Sequence, residues 1–252
     1  MNFPISFLST LIILVSCNWN TPNADIEPKQ GVNKSDTSKP VIISNFQSKA
    51  YPQYFEAAFQ KDTKAIETNT KYDYYKVDIG KLTVETGNII ACDPISMDAA
   101  SPFTQVFPKG NFPVQLAMAR TENDERVALS RILFSNDPVI KWEFALHNGQ
   151  KPIQLKDTSF YCYGVDAGMG IFIDSIANND FKVKNQEAWT EVFINKFYQP
   201  GINGFIHEFE GHNLACFSTG YGDGCYATYI GFNAKGIPCQ LLTDFALVRW
   251  WL

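Results

Sequence analysis

Five acidic residues stand at predicted turns, and carboxylates gathered from several loops are the most visible possible chemistry in this chain. They are Asp93, Asp166, Asp174, Asp223 and Asp244. Such carboxylates can together hold Ca²⁺ or Mg²⁺, since both ions prefer oxygen ligands. Each aspartate also stands beside a glycine, a proline or a strand end, where its side chain commonly bonds its own backbone as an Asx-turn. Turn chemistry is therefore the favoured interpretation, and a metal site is the alternative.

The densest set of unusual residues surrounds Tyr221. Gly220, Gly222 and Gly224 alternate with Tyr221 and Asp223. Alternating glycines permit positive φ and a close approach of the backbone to a ligand. The simpler interpretation is a tight turn into a strand, with Asp223 capping its own turn. The candidate ligand or metal site comprises Asp166, Asp174, Tyr221, Asp223 and Asp244.

No catalytic residue is predicted, because the chain lacks the familiar catalytic signatures. His207 and His212 are five positions apart, so a helix would not place both on one face as it does in a zinc protease, and we expect an exposed loop there. Ser218 does not stand in a Gly-x-Ser-x-Gly turn. No glycine-rich segment continues into the Lys-Ser or Lys-Thr of a phosphate-binding loop. We expect no cofactor, and whether the protein is an enzyme stays open.

The element that must position the Tyr221 loop is a predicted β-hairpin. Residues 225–232 are rich in aromatic and β-branched side chains, and residues 237–245 return after the turn at 233–236. With Phe232 opposite Ile237, one largely apolar face comprises Tyr226, Thr228, Ile230, Phe232, Ile237, Cys239, Leu241 and Thr243. A bulge at Gly236 would shift this pairing. Pro238 cannot donate to a ladder and predicts an edge position.

Many short strands separated by turns predict a β-rich α+β domain, with antiparallel strands in two packed sheets and about two helices. The other predicted strands are 81–85, 89–92, 112–119, 126–134, 139–147, 160–165 and 171–174. One helix is predicted to begin at Pro52 and to run as far as Ile66 along an apolar stripe. A second is predicted over residues 185–198, ended by Pro200 and Gly201.

The first residues predict export. An apolar run at residues 7–15 is too short to span a bilayer as a stable helix and is typical of a secretory signal. It ends in Leu-Val-Ser-Cys, which resembles the lipobox of bacterial lipoproteins, so that Cys17 would become the mature N-terminus and carry lipid. Because no Lys or Arg precedes the run, an ordinary secretory peptide is the alternative. We predict a lipoprotein signal peptide at 1–16, a flexible tether at 17–47 and a single β-rich globular domain at 48–252.

Five cysteines follow Cys17, and an exported protein permits disulfides between them. The odd number leaves at least one free thiol. Cys216 and Cys225, on either side of the glycine-rich segment, are the first candidate pair. Cys92 and Cys162 are expected to be buried free thiols.

Four ordered motifs resemble one known family. They are Gly87-Asn-Ile-Ile-Ala-Cys-Asp-Pro94, Phe107-Pro-Lys-Gly-Asn-Phe-Pro-Val114, Tyr163-Gly-Val-Asp-Ala-Gly168 with Asp174, and Tyr221-Gly-Asp-Gly224 continuing to Asp244-Phe245. Together they resemble the domain of unknown function 4241 family over most of the predicted domain. Its members are bacterial, which agrees with a lipobox. The resemblance implies a fold family and no particular activity or ligand.

We therefore expect an exported protein that is lipid-anchored to a bacterial membrane through Cys17, with a domain that serves as a binding or structural module of the cell envelope. Its protein or small-molecule ligand is not identified by the sequence. The net charge of −5 and the absence of a basic cluster argue against nucleic acid as a partner. The alternative is a metal-dependent hydrolase that uses Asp166, Asp174 and Asp223 near the glycine-rich loop.

Overall fold

Strands dominate the computed structural model of this chain, which describes residues 42–44, 54–67, 69–155, 160–184 and 189–250. The strands are β1 (Ile42–Ser44), β2 (Lys64–Glu67), β3 (Thr70–Val84), β4 (Ile89–Cys92), β5 (Gly110–Arg120), β6 (Glu125–Leu133), β7 (Lys141–Phe144), β8 (Tyr163–Val165), β9 (Met169–Asp174), β10 (Gly204–Phe209), β11 (His212–Ser218), β12 (Gly224–Phe232) and β13 (Pro238–Asp244). The helices are α1 (Tyr54–Ala57), α2 (Ser175–Lys184), a 3₁₀-helix (Pro94–Ser96) and a π-helix (Glu191–Lys196). The predicted β-rich fold is confirmed.

The strands form two sheets. The larger has nine strands in the order β1-β2-β3-β5-β6-β13-β12-β7, with β8 also paired to β12. The smaller has four strands in the order β10-β11-β9-β4. Only β1 and β2 pair in parallel among the described strands, and every other pair is antiparallel. The segment that leads from β11 into β12 therefore links the small sheet to the large one.

The two sheets touch closely where β10 passes β3 and β5. Gly80 interrupts the β3–β5 register with a bulge and has a φ of 125°. A Cβ at Gly80 would lie 2.6 Å from Ile206, so a side chain there would push β10 away. Gly204 is confined less severely, since its Cβ would lie 2.9 Å from the carbonyl oxygen of Cys216 and 3.0 Å from Leu116. These contacts adjoin the main apolar core, which contains Leu116 and against which Ile206 packs.

The other face of the large sheet is covered by α1 and the C-terminal tail. The ring of Phe55 lies 4.5 Å from Trp250 and 4.7 Å from Tyr229, measured between centroids. The guanidinium of Arg131 lies 3.8 Å above the Phe59 ring and donates to Gln115. Segments from both ends of the described chain thus close this face.

A second apolar core lies between the small sheet and two helical segments. From α2 it takes Ala177 and Phe181, and from the π-helix it takes Val192 and Phe193, all buried against β9, β10 and β11. No helix in the described ranges is long and apolar enough to cross a membrane. The predicted signal peptide, Cys17 and the tether lie outside the described residues, so the domain boundaries stay a prediction.

The helix predictions are wrong in extent. Helix α1 ends at Ala57 instead of continuing to Ile66, because Ala65 and Ile66 pair as β2 with Tyr72 and Lys71. Helix α2 was not predicted, whereas the predicted helix 185–198 contains the π-helix. The segment of His207 and His212 is not an exposed loop but the hairpin of β10 and β11.

The predicted β12–β13 hairpin is confirmed, with a corrected register. Ile230 pairs with Leu241 and Thr228 with Thr243, so these four residues share a face as predicted, although each partner is shifted by two residues. Phe232 pairs with Pro238 instead of Ile237, which lies outside β13. The turn extends through Ile237, whose N–H donates to Asn233 Oδ1, and a bulge lies between Gly231 and Phe232. Strand β13 is not an edge strand: Pro238 is its first residue, a position where a missing N–H is tolerated.

Candidate binding surface

The segment 219–224, which we name the glycine loop, is fixed by its own hydrogen bonds. Gly220 and Gly222 have φ values of 54° and 106°, a region that side chains disfavour. The N–H of Gly222 donates to the carbonyl of Thr219 at 2.7 Å, and the Thr219 hydroxyl donates to the carbonyl of Gly222 at 2.9 Å. The hydroxyl of Tyr226, in β12, also donates to the carbonyl of Gly222. The loop therefore has a defined shape.

Tyr221 projects from this loop into solvent but is not free to swing. Tyr221 is 63% exposed. Its hydroxyl shares a 3.0 Å hydrogen bond with the hydroxyl of Tyr72 in β3. The guanidinium of Arg126 in β6 lies 5.6 Å from the ring centroid. The ring is thus held in position while most of its surface remains available for contact.

A second loop, residues 166–168, lies against the glycine loop and is organised by Asp93. The Asp93 carboxylate accepts from the N–H groups of Asp166 and Ala167 at 2.7 and 2.8 Å. It also accepts from Ile95 N–H, two residues on, which is the predicted Asx-turn. The carbonyl of Gly168 accepts from Thr219 N–H, so the two loops are joined directly.

Another exposed tyrosine reaches the same place. The hydroxyl of Tyr198 donates to the carbonyl of Ala167 at 2.9 Å, and its side chain is 58% exposed. Tyr198 follows the π-helix, in which Phe197 N–H bonds Val192 five residues back. The wider turn of a π-helix is uncommon and is found often at functional sites. We name the glycine loop, the 166–168 loop and Tyr198 together the tyrosine surface.

Strand pairing brings two of the predicted aspartates to this surface. Gly224 of β12 pairs with Val165 of β8, so Asp223 and Asp166 come next on facing strands. Both residues are exposed. Tyr221, Asp166 and Asp223 are therefore neighbours in the fold, although 55 positions separate Asp166 from Tyr221 in the sequence.

A disulfide joins Cys162, the residue before β8, to Cys225 in β12, with a Cα–Cα distance of 5.4 Å. The predicted pairing of Cys216 with Cys225 is wrong, because Cys216 lies buried in β11 of the small sheet. Cys162 is likewise not a buried free thiol. Within the described ranges, Cys92, Cys216 and Cys239 are buried and form no disulfide.

Asp174 lies at the other end of the small sheet. It ends β9, roughly 17 Å along the strand from Met169, at about 3.3 Å per residue. Its carboxylate accepts from the N–H groups of Glu85 and Thr86 and from Ile176 N–H at the start of α2. Asp174 therefore caps α2 and anchors a turn, and it does not reach the tyrosine surface.

Asp244 is buried beneath the C-terminal tail. Its carboxylate accepts from Trp250 Nε1 at 2.6 Å and from Ala246 N–H at 3.0 Å. Burial raises the pKa of Asp244 to about 7, although these two hydrogen bonds favour the charged form and oppose that rise. Asp244 is thus a buried structural carboxyl group.

The hypothesis of a three-aspartate metal site is not supported by this arrangement. Asp166 and Asp223 are neighbours, while Asp174 is distant and already occupied with backbone donors. Across the described ranges, no group of three or more His, Cys, Asp or Glu side chains could hold a metal ion. The aspartates that the sequence singled out therefore do not share one site.

Sequence reasoning missed Tyr72, Arg126 and Tyr198 as parts of the surface. Tyr72 and Arg126 come from strands far from Tyr221 in the sequence, and no local pattern marks them. Asp93 was visible as a turn residue, and its position before Pro94 is typical of a cap. Its second role, on the 166–168 loop, depends on tertiary contact.

Comparison with known proteins agrees with the motif resemblance. The model of the family described as Protein of unknown function (DUF4241) matches residues 82–243, which include every strand from β4 to β12 and most of β13. No curated protein and no solved structure matches the chain. Because the match spans more than half of the sequence, the chain belongs to the DUF4241 family of proteins of unknown function.

Proposed function

We propose that this chain is a lipid-anchored protein of a bacterial cell envelope and that the tyrosine surface is where it binds a macromolecular partner. The observation that carries the binding role is the state of Tyr221, which is 63% exposed yet fixed by Tyr72 and by a loop with a defined shape. A pre-positioned aromatic ring loses little entropy on binding and offers a large contact area. Tyrosine is accordingly enriched at interfaces.

Several contacts keep this surface in one shape before any partner arrives. The disulfide joins the residue before β8 to β12, close to the loops, and Asp93 holds the 166–168 loop through two backbone donors. Asp166 and Asp223 add exposed carboxylates beside the aromatic rings. A rigid, exposed and partly charged surface suits a broad contact with another macromolecule better than the enclosure of a small ligand.

The disulfide also supports the export part of the proposal. Disulfides persist in oxidising compartments and are rare in the reducing cytosol. Cys162 and Cys225 are both exposed positions, so a reducing environment would have access to the bond between them. A lipid on Cys17 would then hold the domain at a membrane through the predicted tether. A metal-dependent hydrolase has no comparable support, since its three aspartates are not together.

Site-specific photocrosslinking in cells that make the protein tests the binding role. A photoreactive phenylalanine derivative replaces Tyr221 in one variant and Ile237 in the control. Ile237 is also an exposed apolar residue, 49% accessible, but lies in the turn after β12 and away from the tyrosine surface. We expect a discrete crosslinked product from position 221 that Tyr198→Ala weakens, and none from position 237. Identical products from both positions, or none from 221, would refute the proposed surface.

A further inference from the structure

His212 occupies a junction of three parts of the fold. It is the first residue of β11, immediately after the turn at Glu210 and Gly211, and its side chain is only 14% exposed. On one side stands Glu85, in the turn that follows β3 of the large sheet. On the other stands Asp180, in the middle of α2. The imidazole therefore links the small sheet to α2 and to the end of β3.

Both ring nitrogens face carboxylates. Nδ1 lies within hydrogen-bond distance of Glu85 Oε1, and Nε2 lies 3.0 Å from Asp180 Oδ2. An ionised carboxylate can only accept, so both nitrogens must carry protons for both contacts to be hydrogen bonds. Neutral histidine carries one proton on its ring nitrogens and would leave two lone pairs facing each other on one side. With both carboxylates ionised, this geometry favours the imidazolium ion.

The surroundings favour the same charge state. Hydrogen bonding to Glu85 is the main cause that raises the pKa of His212, with partial burial opposing it and Asp180 assisting. From β10, the neighbour of His212 is the uncharged ring of Phe209, while Glu208 bonds Asn213. His207, further along β10, has a pKa lowered first by burial and then by Lys196. Glu85 and Asp180 are thus the charged groups that act on His212 from the described elements packed against it.

The contact between His212 and Asp180 supports the middle of α2, whereas other residues hold its start. At the start, the Asp174 carboxylate accepts Ile176 N–H and the carbonyl of Asn88 accepts Ser175 N–H. In the middle, Ala177 and Phe181 pack on the second core, with Asp180 beside them on His212. Asn178, also in α2, donates to the carbonyl of Met97, so loss of the His212 contact would weaken the hold on this part of the helix without removing every polar contact.

We propose that His212 is a pH-dependent clasp, whose protonated ring holds the middle of α2 to the sheets and whose deprotonation loosens it. For a histidine stabilised as the cation in the folded state, the stabilisation is fully present below the unfolded pKa and is lost as the pH rises through the folded pKa. Helix α2 is then held most firmly in acid. Ala177 and Phe181 of α2 pack in the second apolar core, so the pH would set how firmly α2 covers that core.

Hydrogen exchange of the full chain, followed by NMR from about pH 5 to about pH 8, tests the clasp. Protection factors for amides 177–181 are compared with those of β12 and β13. We expect protection of α2 to fall severalfold with rising pH at the midpoint of the His212 ring titration, while the β12–β13 amides change less. Parallel loss in both regions would overturn the proposal, as would titration of His212 at or below the value of a free histidine.

Three variants sharpen this test. His212→Gln should show weak protection of the α2 amides at every pH. Asp180→Asn keeps the His212 ring, and it should lower the midpoint of the His212 titration and weaken the pH dependence of α2 protection. His207→Gln is the matched control: His207 lies on the neighbouring strand and forms no such bridge, and although its ring contacts Phe181 of α2, the variant should keep the His212 midpoint and the pH dependence of wild type. If His212→Gln does not fold, Asp180→Asn alone decides. Undiminished pH dependence of α2 in Asp180→Asn, with an unchanged His212 midpoint, would refute the clasp.

Discussion

Three of the aspartates at turns form hydrogen bonds to their own local backbone. Asp93, Asp174 and Asp244 each accept the N–H two residues ahead, at Ile95, Ile176 and Ala246, which confirms the Asx-turns that the sequence favoured. Local spacing predicts such bonds because donor and acceptor lie within one turn. The second partner of each carboxylate comes from tertiary contact, so the sequence could not predict it. For Asp166 and Asp223, turn capping by the side chain stays a prediction.

The buried Asp244 carboxyl predicts a measurable pH dependence. Its pKa is about 7 in the folded protein and near 3.9 in the unfolded chain. Between these values the folded state binds one more proton, so Asp244 stabilises the fold in acid and this contribution is lost as the pH rises through about 7. We expect the free energy of unfolding of wild type to fall, relative to that of Asp244→Asn, as the pH rises from about 4 to about 7. The slope should be up to about 1.4 kcal/mol per pH unit.

Urea unfolding at a series of pH values measures this difference. Asp223→Asn is the control, because Asp223 is exposed and its profile should run parallel to that of wild type. If Asp244→Asn also runs parallel to wild type, the Asp244 carboxyl is charged in the folded state and the argument from burial fails.

At the scale of elements, the β12–β13 hairpin was predictable because its signals are local. Asn233 accepts the N–H groups of Lys235 and Ile237, and Gly236 has a φ of 70°, as turn chemistry requires. Helix α2 was not predictable, because its sequence is largely polar and its start depends on Asp174. The π-helix replaces part of a predicted α-helix, since its phase is set by packing of Val192, Phe193 and Phe197 on the second core.

The hairpin provides a test of which side of the sheet is buried. Ile230→Asp places a charge in the main core, where Ile230 is buried opposite Leu241, and we expect severe destabilisation. Lys235→Asp should change the stability by less than about 0.5 kcal/mol, because Lys235 is exposed and bonds Asn233 only through its backbone. Thermal melts compare the two variants. A larger loss for Lys235→Asp would show that the turn, and not the sheet face, carries the stability.

At the scale of the whole molecule, the long-range pairings were beyond sequence reasoning. The disulfide joins residues 63 positions apart and follows from the pairing of β8 with β12, whereas spacing alone favoured the nearer Cys216. The sequence did predict a β-rich chain, since alternating and β-branched segments recur throughout. Which strands become neighbours is decided by packing between the sheets, where Gly80 and Gly204 permit close approach.

The predicted attachment of the whole molecule to a membrane depends on Cys17. Cys17→Ser removes the sulfur that would carry lipid, so we expect unprocessed protein or its release from the membrane fraction. Each buried CH₂ of a lipid chain contributes about 0.8 kcal/mol, and two or more chains hold firmly. Detergent partitioning measures the change, with Asn18→Ser as the control that should stay with the membrane. Equal partitioning of wild type and Cys17→Ser would rule out the anchor.

Helix α1 and the C-terminal tail, which cover one face of the large sheet, limit how far this protein can be shortened. The family match, 82–243, omits α1, β2, most of β3 and the tail that contains Trp250. A fragment trimmed to those limits would lose most of the β3–β5 ladder and would leave Tyr229 without its ring contacts to Phe55 and Trp250. Exposed apolar patches of this kind promote aggregation. We therefore expect a fragment limited to residues 82–243 to be less soluble than one that runs from Tyr54 to Trp250.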